Sequence, residues 1–198
     1  MKELIVATKN EGKVREFRQL FSEYGIAVKS LLDFDEPIED IEETGTTFAE
    51  NATIKAEAIS EAYNTPVIAD DSGLVVDALG GEPGVYSARY AGEEKNDQKN
   101  LEKVIKKLED VPVNERTARF VCAIAVARPG FETFVKEGYC EGSIAVEPQG
   151  QHGFGYDPIF IPESSERTMA EHTSEEKNSI SHRHHAILQL EEWLKNQS

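Results

Sequence analysis

The chain has 198 residues, 39% hydrophobic and 29% charged, which is enough for one substantial core. No apolar run approaches the ~20 residues of a bilayer span, and a strand pattern begins at once, with no secretory leader ahead of it. A net charge of −16 argues against a nucleic acid polymer or an anionic membrane as partner, and two cysteines, Cys122 and Cys140, point to the reducing cytoplasm rather than to a disulfide framework.

Leu4-Ile5-Val6-Ala7 reads as a buried strand, Thr8 to Lys13 as a polar loop, and Val14, Phe17, Leu20 and Phe21 as the core face of a helix that stops near Gly25. Strand, polar loop and helix together aim free backbone N–H groups at an anion, with Lys9 and Lys13 adding charge. An ordinary strand-to-helix turn with surface lysines fits the same residues, and the Lys-Ser/Thr of a Walker loop is missing. Ile26 to Leu32 suggests a second strand. The acidic stretch from Asp33 to Glu43 reads as a solvated loop, one or two of whose carboxylates could reach a hard cation.

Thr47 and Glu50 form a capping box for a helix whose apolar stripe is Phe48, Ala52, Ala56, Ile59 and Ala62. Lys55 falls on that stripe. It either snorkels to the core edge or aims its ammonium into a cleft beside the next motif.

That motif is Val67-Ile68-Ala69-Asp70-Asp71-Ser72-Gly73-Leu74-Val75-Val76. Its flanks suit a buried strand, but a carboxylate removed from water must be paired, hydrogen-bonded or metal-bound. Neighbouring strand side chains point to opposite faces, so one aspartate is expected to enter a cleft and the other to hold a turn.

Beyond the tight Gly80–Gly84 loop, Asp97 is expected to cap a helix with core residues Leu101, Val104, Ile105 and Leu108. Phe120, Cys122, Ile124 and Val126 alternate as a strand, and Pro129-Gly130 turns it into another over Phe134 to Ile144. The Gly150–Pro158 loop sets glycines around two aromatics. It is either a turn whose aromatics cover the core or backbone built to approach a ligand closely, with Phe154 as a flat face for a base. Thr173 and Glu176 make another capping box. Lys177 and His182-Arg183-His184-His185 gather positive charge suited to phosphates or base edges, and a last helix is expected to bury Ile187, Leu190 and Leu194. His182 and His185 could share a helical face, but no third zinc ligand is evident. The chain reads as one α/β domain over 1–198 with room for two lobes and with parallel and antiparallel sheet.

These pieces resemble the inosine triphosphate pyrophosphatase family nearly end to end. The resemblance rests on Ala7-Thr8-Lys9-Asn10-Glu11-Gly12-Lys13, on Glu42-Glu43-Thr44-Gly45 with Phe48, Glu50-Asn51-Ala52 and Lys55-Ala56, and on Ala69-Asp70-Asp71-Ser72-Gly73-Leu74. It continues through Pro83 to Tyr90, Gly153-Phe154-Gly155-Tyr156-Asp157-Pro158, Glu175-Glu176-Lys177 and Ser181-His182-Arg183. Two positions depart from the family pattern, Lys9 and His184, where glycine is frequent.

The resemblance implies a long mixed sheet flanked by helices, two lobes with a nucleotide cleft between them, and a homodimer. It implies hydrolysis of ITP, dITP or XTP to monophosphate and pyrophosphate with Mg²⁺. Thr8, Lys9, Asn10, Glu11, Gly12 and Lys13 would hold phosphates. Glu42, with Glu43 as its neighbour, would join Asp71 on the metal, and Asp71 would also accept the proton of the attacking water. Lys55 suits the growing phosphate charge, and Ser72 would contact substrate. Phe154, Gly155, Tyr156, Asp157, Lys177, His182 and Arg183 would surround the nucleoside. A pyrophosphatase of modified pyrimidine triphosphates, as in the similar septum-formation inhibitor family, and a nucleotide sensor without turnover are the competing readings.

Overall fold

The computed structural model describes residues 3–36 and 38–195, leaving aside the side chains of Glu192 and Leu194, so the expected burial of Leu194 lies outside the described residues. Six strands form one sheet in the order β2-β1-β3-β4-β5-β6. They are β1 (Glu3–Val6), β2 (Ala27–Ser30), β3 (Val67–Val76), β4 (Thr117–Arg128), β5 (Phe131–Ile144) and β6 (Phe160–Pro162). β1 runs parallel to β2 and β3, whereas β5 and β6 are antiparallel, so the sheet is mixed. The α-helices among the described residues are α1 (Glu11–Ser22), α2 (Phe48–Tyr63), α3 (Asp97–Lys107), α4 (Ser174–Ile180), α5 (His182–Leu188) and α6 (Glu191–Lys195), with short 3₁₀ turns between elements. Among the described residues no helix is long and apolar enough to cross a membrane.

The chain divides into two compact units, the first made of 1–71, 122–138 and 184–198, the second of 72–121 and 139–183. In the first unit the period-two alternation of the strands sorts two cores. Leu4, Val6, Ile68, Ile124 and Val126 pack with Phe17, Leu20 and Phe21 of α1. Val67, Ala69, Ala123, Ala125 and Ala127, one residue out of phase, pack with Ala52, Ala56 and Ile59 of α2. In the second unit, Leu101, Val104 and Leu108 of α3 pack with Leu74, Val76, Phe120, Ile144 and Phe160. The two cysteines are buried and act as small hydrophobes.

Several sequence expectations shift by local physics. α1 starts at Glu11, because the Asn10 side chain accepts a hydrogen bond from the Lys13 N–H and caps it, which brings Lys13 into the first helical turn. The second strand is shorter than expected, since Ser30 and Asp33 cap each other's backbone and divert Leu31–Asp33 into a 3₁₀ turn. Ala62 is exposed, and Asn51 and Ser60 are buried instead. The α3 cap is Asn96, whose side chain accepts from the Lys99 N–H, rather than Asp97. The last helix is interrupted after Leu188 by a turn in which the Leu190 N–H donates to the Ile187 carbonyl.

Candidate active site

β3 does not turn at Asp70-Asp71. It runs straight through both aspartates, Ser72 and Gly73 to Val76. A continuous strand must throw Asp70 and Asp71 to opposite faces, and the two helices flanking the first unit each supply a lysine. Asp70, 0% exposed, lies on the α1 side, where Lys13 Nζ sits 2.9 Å from its Oδ2. Asp71, 6% exposed, lies on the α2 side. There Lys55 Nζ is 3.7 Å from Asp71 Oδ1 and 2.9 Å from Glu43 Oε1, and it donates to the Asp70 carbonyl at 2.5 Å. Asn51, one helical turn before Lys55, donates from Nδ2 to Asp71 Oδ2 at 3.1 Å.

Burial and charge pull these groups in different directions. An ion pair alone would lower its acid and raise its base. Burial is the largest influence on Asp71 and raises its pKa, outweighing the pull of Lys55 and Lys13 in the other direction. Burial pushes Lys55 down, but Asp71, Asp70 and Glu43 together more than reverse that and hold it above an ordinary lysine. The ammonium therefore stays charged while the carboxylate is a readier proton acceptor than a surface aspartate. Perturbed acid and base at one spot are what chemistry at phosphate requires.

The acidic loop reaches this spot through Glu43, whereas the Glu42 side chain is exposed. Lys9 reaches the same loop higher up, contacting the Ile38 carbonyl and lying 2.6 Å from Asp40. Thr8 is buried, and its Oγ1 accepts from the Asn10 N–H at 3.2 Å. Glu11 is exposed and Gly12 buried in the first turn of α1.

The second unit assembles a different group. Asp157 Oδ2 accepts from Lys177 Nζ at 2.6 Å and from the Phe154 N–H at 2.9 Å, which curls the glycine-rich loop around the carboxylate. Gly153 has φ +76°, and a Cβ there would sit 2.0 Å from Asp157 Oδ2, so the close approach needs glycine. Lys177 Nζ lies 4.6 Å and Arg183 Cζ 5.8 Å from the Phe154 ring centre. Arg183, 2% exposed, donates from Nη2 to Ser72 Oγ at 2.9 Å. Gly155 is held through its N–H by Asp97 at 2.8 Å. Tyr156 is buried and donates its phenol to the Ser87 carbonyl at 2.7 Å, so it braces the loop from within. His182 is also buried, stacked on Phe120 with ring centres 4.9 Å apart.

A sequence model of the Ham1 family matches residues 4–193, spanning both groups of side chains. The chain belongs to the Ham1 family. This Ham1 chain is 64% identical over 194 residues to a dITP/XTP pyrophosphatase of Halalkalibacterium halodurans, covering 98% of this chain and 100% of that one. It is 58% identical to the dITP/XTP pyrophosphatase of Bacillus subtilis, with 98% of each chain covered. Among solved structures, the Staphylococcus aureus Ham1 protein superposes with a TM-score of 0.86 at 46% identity, covering 100% of both chains. A Coxiella burnetii HAM1 protein gives 0.87 at 42% identity, covering 99% of this chain and 100% of that one.

Within this Ham1 fold the structure brings Asp71, Lys55 and Glu43 together in one unit and Ser72, Phe154, Asp157, Lys177 and Arg183 in the other. Asn51 had no role assigned from the sequence. Its signal was present, since 51 and 55 share a helical face, but asparagine has no charge to draw attention to it.

Mg²⁺ can be tested against the donor set. Among the described residues no cluster of three or more His, Cys, Asp or Glu could hold a metal ion, so a cage made wholly of protein ligands is absent from them. Mg²⁺ asks for less, typically one or two carboxylates with waters and substrate phosphates completing the shell. Glu43 and Asp71 each place a carboxylate oxygen within 4 Å of the Lys55 ammonium, giving two hard oxygen donors around one point. The residues fit.

Proposed function

We propose that this chain is a Mg²⁺-dependent dITP/XTP pyrophosphatase that hydrolyses non-standard purine nucleoside triphosphates to the monophosphate and pyrophosphate. The observation that carries the reading is the buried Asp71, between Lys55 and Asn51, in a chain matched over 98% of its length by relatives of that name. As a cytoplasmic homodimer it would remove such nucleotides from the precursor pool.

Water attacks the α-phosphorus, the bond to the β-phosphate oxygen breaks, and pyrophosphate leaves. Asp71 takes the proton from the attacking water, a task suited to its raised pKa. Lys55 lies beside it, and its positive charge offsets the charge growing on the phosphoryl oxygens. Glu43 and Asp71 would hold Mg²⁺, which when bound neutralises phosphate charge. The Thr8–Lys13 segment, capped by Asn10, supplies backbone N–H groups at the start of α1 for the phosphates.

On the nucleoside side, Phe154 offers a face for stacking and Arg183 a fork of donors. A purine with a carbonyl at position six presents an acceptor where adenine presents an amino group. Arginine donors favour the carbonyl and leave unpaired groups when adenine enters.

The test is incubation with ITP, XTP, dUTP and GTP plus Mg²⁺, with both products measured. Monophosphate and pyrophosphate from ITP and XTP are expected. Release of inorganic phosphate, preference for dUTP, or ITP binding without turnover would each replace this reading with another.

A further inference from the structure

We infer that Asn51 is a positioning residue that fixes the spacing between the Glu43 and Asp71 carboxylates, and thereby the affinity of the site for a divalent cation. The inference rests on the proposed function above.

Asn51 is 2% exposed, and both ends of its amide are committed. Nδ2 donates to Asp71 Oδ2 at 3.1 Å, and Oδ1 accepts from the Gly45 N–H at 2.8 Å. With a donor needed at one end and an acceptor at the other, the amide has one orientation that satisfies both. The side chain is thus a rivet between β3 and the end of the acidic loop, two residues from Glu43. The loop closes tightly on it, because a Cβ at Gly45 would stand 2.6 Å from Asn51 Oδ1 and 2.7 Å from Glu50 Cβ.

Among the described residues, the eleven-residue acidic stretch from Asp33 to Glu43 and its continuation have no regular structure after Asp33 until α2 begins, so side chains rather than a backbone ladder place Glu43. Lys9 and the packing of Ile38 and Ile41 hold the middle of the loop, and two further contacts fix its end. Lys55 draws in the Glu43 carboxylate directly, at 2.9 Å. Asn51 holds the loop backbone against the strand that carries Asp71. Both come from one face of α2, so helix geometry sets the distance between the two carboxylates. Asn51 also engages Asp71 Oδ2, while Oδ1 lies 3.7 Å from Lys55 Nζ. One carboxylate oxygen is thereby oriented for the cation and the water, which is what partners behind metal ligands do.

The experiment uses the full chain and Mn²⁺ as the probe, with binding followed by electron paramagnetic resonance, alongside the Mg²⁺ dependence of ITP hydrolysis and thermal melting. For Asn51→Ala the Mn²⁺ dissociation constant is expected to rise about 10- to 100-fold. The Mg²⁺ concentration for half-maximal activity should rise in step, with kcat at saturating Mg²⁺ falling far less. Gly45→Ala perturbs the same bond from the loop side and is expected to weaken Mn²⁺ binding in the same direction; it decides the matter if Asn51→Ala does not fold. Folded variants that melt lower yet bind Mn²⁺ as the wild type does would overturn the positioning role and leave the proposed function standing. A wild-type protein that neither binds Mn²⁺ nor needs a divalent cation to cleave ITP would overturn the cation reading itself.

Discussion

Asp70 and Asp71 are neighbours in one strand, equally short, both buried, and each answered by a lysine from a helix, yet they are placed for different work. Asp70 is sealed on the α1 side with Lys13, whose own side chain is 15% exposed. Asp71 is met by a cation, an amide and a second carboxylate. Sealing a carboxylate against an ammonium makes a structural pair; crowding it with a second carboxylate leaves charge that a substrate's counter-ion can take up. The difference lies in the two helices rather than in the aspartates. α1 offers its capped first turn, and α2 offers two polar residues one turn apart beside Phe48, Ala52, Ala56 and Ile59.

Asparagine substitution separates the pair most sharply. Asp71→Asn should lower kcat for ITP by about 10³-fold, the scale of a lost general base. It should cost the fold less than removal of Asp70, because the lost attraction to Lys55 is set against a removed burial cost. Because burial raises Asp71 in the folded state, ionisation there costs stability: the contribution is intact below the ordinary carboxylate pKa and lost as pH rises through the raised folded value. Asp71→Asn should therefore melt closer to the wild type than Asp70→Ala does at pH 7. A large loss of stability would erase the proposed contrast.

Asp70→Ala should behave in the opposite way, lowering the unfolding free energy by about 3 kcal/mol in urea denaturation, as expected when one partner of a buried pair is removed. A folded, inactive Asp70→Ala protein with unchanged stability would assign the chemistry to the wrong face.

In the second unit, Phe154→Ala removes the ring beside Lys177 and Arg183 and should raise KM for ITP about 10-fold, the value of one lost stacking platform, with little change in kcat. A kcat effect of the same size would mean that the loop serves the reacting phosphate as well.

The smallest effect is expected at the α2 cap. Thr47→Ala should cost about 1 kcal/mol of stability. The partner in that capping box, Glu50, is held below the ordinary carboxylate range chiefly by the Thr46 N–H, then by the Thr46 hydroxyl. Its contribution is present above the unfolded pKa and is lost as pH falls through the lower folded value. Glu50→Gln should make the acid side of the stability profile shallower, which chemical denaturation between pH 3 and 6 would reveal.

Local chemistry made much of this legible in advance. The capping boxes at Thr47 and Thr173, the hairpin at Pro129-Gly130, the apolar face of α3 and the lysine on the α2 stripe all depend on residues a few positions apart, and each stands where short-range spacing puts it. The Asp-Asp-Ser segment was harder. Read locally it is a turn, because Asp, Ser and Gly favour turns; in the sheet it is strand, because its polar side chains find Lys13, Lys55, Asn51 and Arg183 from far along the chain.

What the amino-acid order determined alone was the inventory: an acidic chain with alternating strands, capped helices, and carboxylates and lysines too costly to bury unpaired. What only the tertiary structure decided was the pairing, namely that Glu43 rather than Glu42 meets Lys55, that Asn51 ties the loop to Asp71, and that Asp70 and Asp71 face different helices. The physical reason is range. Helix and turn preferences are set by neighbours within four residues, whereas the partner of a buried charge is chosen by which distant side chain the packed sheet brings within hydrogen-bond reach.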